Sequence, residues 1–113
     1  MQTEVEGRIR EALAALPGIT EVRMFGGVCF MLHGNMLVCS MKDGTMLARI
    51  GADRIEAAID RAGVSRMSMR GREMKDFVVV DAERLEGDGL GTWIEAARAF
   101  VGPMPPKATA PRR

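Results

Sequence analysis

The chain has 113 residues, 47 % hydrophobic and 27 % charged, which specifies one globular domain able to bury a core without disulfides or a structural metal. Sixteen Lys and Arg against fifteen Asp and Glu leave a formal charge of +1, removing any global electrostatic case for nucleic acid. No apolar run approaches the roughly 20 residues of a membrane span, and MQTEVEGRIREAL at the amino terminus has acidic residues and helical spacing in place of a signal peptide.

Apolar residues recur at Val5, Ile9, Leu13 and Leu16, so residues 3–16 are expected as a helix. Thr3 and Glu6 fit a capping box, and Pro17-Gly18 stops the helix. Three strands are expected next, at 22–32, 36–41 and 45–50, separated by the turn-formers His33-Gly34-Asn35 and Lys42-Asp43-Gly44. Gly26-Gly27 lies inside the first of them. No Gly-Lys-Ser/Thr follows it and a strand comes next, so it is read as a β-bulge rather than a phosphate loop, with Met24 and Phe25 anchoring the core beside it. Asp53 is placed to cap a second helix at 54–62, ended by Gly63. Residues 64–69 read as an edge strand, 70–73 as a turn, and the β-branched run 76–81 as an interior strand. An acidic loop over 83–91 precedes a third helix at about 88–101. Leu90, Trp93, Ile94, Ala97 and Val101 form its buried stripe, and Gly102-Pro103 ends it. The order is helix, three strands, helix, two strands, helix. It predicts an α+β domain over residues 1–103, two layers deep, with a mainly antiparallel five-stranded sheet and the helices packed on it. Residues 104–113, rich in proline and basic side chains, are expected as a disordered tail.

The strands alternate poorly, since the hairpin 28–41 is apolar on both sides where a sheet with one wet face should alternate cleanly. Cys29, Met31, Leu37, Cys39, Met41 and Leu47 are therefore expected to form a second apolar face that binds a protein partner or a second copy of the chain. Ten methionines beside four phenylalanines, one tryptophan and no tyrosine suit a packed core as well as an adaptable surface. A hairpin centred on Gly34 sets Cys29 opposite Cys39, whereas a two-residue Gly34-Asn35 turn sets Cys29 opposite Ser40. The chain reads as cytoplasmic, so the cysteines are expected as buried, reduced thiols. Two cysteines with His33 lack the spaced ligand set of a zinc site, and neither metal nor cofactor is expected. His33 has no nucleophile or carboxylate assigned beside it and is read as a turn residue, not a general base. Arg61, Arg66, Arg70, Arg72 and Lys75 are a local basic excess, extended by Lys107, Arg112 and Arg113. They form either a phosphate-contacting strip or a solvated edge that discourages strand pairing.

MFGGVCFMLHGNML, the strand ending LARIG, the segment GREMKDFVVVD and the closing WIEAARAFV together resemble the amino-terminal domain of the TfoX/Sxy family. The residues that carry the likeness are Met24, Phe25, Gly26, Gly27, Gly34, Asn35 and Trp93, with the Gly-Arg-x-Met-Lys-x-Phe segment between them. The resemblance implies an α-β(3)-α-β(2)-α domain with no catalytic residues to carry over. It also implies a link to competence regulators that act with the cyclic-AMP receptor protein at promoters. Longer members add a carboxy-terminal domain, and this chain is expected to be the amino-terminal domain standing alone. The expected function is a non-enzymatic protein-interaction domain, a co-regulator of transcription or competence acting through protein contacts. The alternatives are a nucleic-acid-binding module using the basic 61–75 segment, or a thiol-redox protein using Cys29 and Cys39.

Overall fold

The apolar stripe of the first helix, α1 (Gln2–Ala12), turns Val5 and Ile9 inward, and Leu13 follows them into the core as the chain leaves the helix. The structure is a computed structural model that describes residues 2–24, 26–69 and 71–107, with Gln2, Thr3 and Met69 described by backbone alone. Phe25, Arg70, Arg112 and Arg113 therefore lie outside the described residues. Because α1 already includes Gln2, Thr3 sits within its first turn and not at its cap.

Among the described residues six strands follow, not five. They are β1 (Ile19–Met24), β2 (Gly27–Leu32), β3 (Asn35–Met41), β4 (Met46–Arg49), β5 (Val64–Met69) and β6 (Arg72–Val80). The single strand expected over 22–32 is an antiparallel hairpin, with Met24 opposite Gly27 and Ile19 opposite Leu32. Gly26 adopts φ +74°, which reverses the chain where a bulge would only have bent it. The next turn has positive φ at His33 (52°) and Gly34 (84°), with Leu32 opposite Asn35. Two such residues in succession match the right-handed twist of the flanking strands and make the tightest hairpin connection.

All neighbouring strands are antiparallel, in the order β1-β2-β3-β4-β6-β5. The helix α2 (Ala52–Ile59) carries the chain from β4 to the far edge, and β6 then returns between β4 and β5. The valine-rich run thus occupies the interior position its composition called for. Gly51 (φ +92°) precedes α2 as its cap without a side-chain hydrogen bond, so Asp53 lies in the first turn, where its charge suits the helix dipole. A short 3₁₀ turn (Ala82–Leu85) fills part of the expected acidic loop before α3 (Gly89–Val101).

One core cluster joins Ile9 and Leu13 with Ile55 and Ala58 of α2 and Leu90, Trp93, Ile94, Ala97 and Val101 of α3. Against them pack Val28, Phe30, Leu32, Leu37, Val38, Met46, Ala48, Val78 and Val80 of the sheet. After α3 the chain turns back onto the hairpin. Met104 packs against this core, Lys107 N–H donates to the His33 carbonyl (2.8 Å), and Asn35 Nδ2 donates to the Pro105 carbonyl (3.0 Å). Residues 104–107, expected as the start of a tail, are tied to the domain by these bonds.

Arg10 fixes α1 to the edge strand. Its Nε and a terminal nitrogen donate to the two oxygens of Glu21 (2.7 and 2.8 Å), and Glu6 accepts a further bond (2.8 Å). The hydrogen bond from Arg10, helped by its charge, lowers the pKa of Glu21. A carboxylate whose folded pKa lies below its unfolded value stabilises the fold above the unfolded value. That contribution is lost as pH falls through the folded pKa. The urea midpoint of the chain is accordingly expected to drop between about pH 5 and about pH 3, and Glu21→Gln should show a shallower drop. Parallel curves for the two proteins would remove the pair from the stability of the fold.

Candidate protein interface on the sheet

Alternation sends every second strand residue to the side opposite the core cluster. There Cys29, Cys39, Leu47, Met67 and Phe77 are buried, and Met24, Met31, Met36, Met41, Met74 and Val79 pack half-buried against them. Every one of these side chains comes from a strand. Register orders them in rows across the sheet. Val22, Cys29, Cys39, Leu47, Val79 and Ser65 share one row. Met31 and Met36 are opposed in the row on one side, and Met24, Gly27 and Met41 share the row on the other. Val22, at the sheet edge, is 39 % exposed and continues the apolar surface to the rim.

Five of the six residues expected on this face are found there. Leu37 is not. Phe30 pairs with Val38 but Met31 pairs with Met36, so Leu37 is one extra residue in β3. A bulge of this kind shifts the parity of the strand, and Leu37 joins Val38 in the helix-side core while Met36 takes the outer position. Beyond the bulge the register sets Cys29 opposite Cys39, and the two are joined as a disulfide, both fully buried. The expected reduced thiols are corrected on this point. What brings the sulfurs together is the bulge, which a regular continuation of the two-residue turn would not have done.

At the margin of the face, the Arg49 guanidinium lies 3.5 Å from Asp76 and over the rings of Phe77 (5.7 Å) and Phe100 (5.9 Å). Its Nε is buried with no hydrogen-bond partner among the described residues.

Among the described residues the basic side chains do not form one strip. Arg61 stacks on the Trp93 ring of α3 (5.7 Å), while Arg66, on β5, is paired with Glu56 of α2 and lies 3.8 Å from Glu73. Arg72 and Lys75 are exposed on β6. Acidic partners thus neutralise Arg66. His33 holds the turn by backbone bonds to Gly18 and Lys107. A cleft of about 300 Å³ between α2 and α3 is lined by Ile50, Asp53, Arg54, Ala57, Ala58, Arg61, Thr92, Trp93 and Ala96, without histidine, cysteine or serine. Among the described residues, no three His, Cys, Asp or Glu side chains converge as metal ligands, and no helix is long and apolar enough to cross a membrane.

The family model of the TfoX N-terminal domain matches residues 11–101. The chain belongs to that family. No curated protein and no solved structure matches it. In this TfoX N-terminal domain the Gly-Gly motif makes the first hairpin, His33-Gly34 makes the second, and Trp93 is buried in α3 beneath Arg61. The family match extends from α1 to the last residue of α3, so it spans the whole sheet and with it the methionine face.

Proposed function

We propose that this TfoX N-terminal domain is a non-enzymatic protein-interaction domain, serving competence or transcriptional regulation through protein contacts. Its docking surface is the methionine face of the sheet. In this reading the helices form one layer and the sheet the other, leaving that face for a partner. The observation that carries it is an apolar cluster built wholly from strand side chains, rimmed by six part-exposed residues, five of them methionines. Apolar surface of this kind marks interfaces, and unbranched thioether side chains adapt to a partner's shape. Family membership supports the regulatory setting. The basic segment lends the nucleic-acid alternative little support, because Arg66 is already ion-paired and Arg61 is stacked on Trp93.

The test is the solution mass of the chain by light scattering across a range of concentrations. A dimer is the expected result, and Met31→Lys or Met41→Lys should return it to a monomer with unchanged circular dichroism. Lysine keeps the stem but places a charge in the contact, where desolvation makes it costly. A monomer at every concentration excludes the second copy as the occupant, and the same substitutions then serve to test capture of a heterologous protein. Retention of every partner by both lysine variants would overturn the assignment of the face.

A further inference from the structure

The outer face of β1–β3 carries six sulfur atoms in three adjacent rows. Cys29 and Cys39 form the middle row. Met31 and Met36 face each other on one side, and Met24 and Met41 flank Gly27 on the other. Successive residues on one face of a strand lie about 7 Å apart, within the reach of a methionine side chain. All six pack in one cluster, with the cysteines fully buried and the methionines half-buried. Among the described residues, no group of three His, Cys, Asp or Glu side chains forms on this face. The zinc argument against these cysteines therefore leaves a softer cation untouched.

We propose that the reduced Cys29–Cys39 pair, with the surrounding methionines, is a binding site for a soft monovalent cation, Cu(I). Thiolate and thioether sulfur select Cu(I) over harder divalent ions, and two thiolates with one weak thioether satisfy its low coordination number. The disulfide is the closed form of the site. A dithiol reductant supplies two electrons and two protons, becoming a disulfide itself, and converts the cystine to two thiols. Binding one Cu(I) then displaces both protons and leaves one net negative charge on the bis-thiolate complex. Met31 and Met36 cover one side of the metal, and their flexible side chains swing aside to admit it. This site does not depend on which protein, if any, docks on the face.

The test is an anaerobic titration of the reduced chain with Cu(I) held by bicinchoninate, whose coloured complex reports the metal withdrawn. Reduced protein is expected to withdraw one equivalent, and the oxidised protein none. The oxidised chain is the control that requires no substitution. Met31→Leu/Met36→Leu should still take one equivalent but about tenfold more weakly, in line with loss of a supporting ligand. Cys29→Ala/Cys39→Ala should take none, with Trp93 fluorescence confirming that it is folded. If that variant does not fold, the comparison of oxidised and reduced wild type decides alone. Absence of withdrawal by the reduced chain, or equal withdrawal by the oxidised chain, overturns the site. Unchanged affinity in the double leucine variant overturns the role of the methionines.

Discussion

Phe30→Ala is expected to destabilise the domain by about 3–5 kcal/mol, the range for truncating a fully buried aromatic side chain. Phe30 is at the middle of β2, opposite Glu21 on one side and Val38 on the other, and has no exposed surface. Its ring sits in the cluster that holds Ile9 and Leu13, and the Arg10 guanidinium lies over it at 5.9 Å. Alanine there removes the ring and leaves a void that packed helices and strands can close only in part. Since a domain of this size is held by roughly 5–15 kcal/mol in all, the loss is a large share of its stability. Urea unfolding followed by Trp93 fluorescence measures it, because Trp93 is buried in α3. Met31→Ala, one residue away on the other face, is half-buried and flexible and should cost far less. Equal losses at the two positions would contradict the division of the sheet's side chains between a fully buried cluster and a half-buried methionine rim.

Gly27→Ala is expected to cost about 3 kcal/mol, the upper end for overpacking. A Cβ at Gly27 would lie 2.0 Å from the Ser40 carbonyl oxygen and 3.1 Å from Met41 Cα. Both are backbone atoms of the neighbouring strand, so no rotamer change relieves the collision. β2 and β3 would have to separate where Gly27 pairs with Met41. Gly7→Ala is the control. It lies within α1 with nothing within 4 Å of the added methyl, and should gain about 0.5–1 kcal/mol from a stiffer unfolded chain and better helix propensity. A Gly27→Ala midpoint no lower than that of Gly7→Ala would remove the close approach as the reason for this glycine.

Local chemistry made much of this fold legible. Periodicity located the three helices, and the turn-formers located the β2–β3 and β3–β4 hairpins, because these signals act over a few residues. The glycine pair was legible as irregular backbone but not as two separate devices. Gly26 reverses the chain by its positive φ, and Gly27 admits the adjacent strand. Read as a single bulge, the pair merges two strands into one, and Met24 loses its place on the outer face. Poor alternation in 28–41 correctly announced two apolar faces. It could not assign Leu37 and Met36, since one extra residue in β3 exchanges their sides. Phe77, Val79, Met67 and Met74 complete the face from β5 and β6. Their presence depends on β6 pairing with β4, a contact between distant parts of the chain that no local pattern encodes. The basic run shows the same limit. Spacing placed Arg61 and Arg66 together, whereas tertiary structure gives one an aromatic ring and the other two carboxylates.

The strand order has a consequence for how the molecule assembles. From β1 to β4, neighbours in the sheet are also neighbours along the chain, so each pairing closes only a short loop. β6 can join β4 only after α2 and β5 have been passed, which closes a much longer one. Loop closure opposes distant contacts most, and it has to be overcome before their burial contributes. The amino-terminal meander with α1 is thus the natural nucleus, and the β5–β6 hairpin is a separate local unit that docks on it. Amide protons of β2 and β3 should become protected earliest during refolding, and those joining β4 to β6 last.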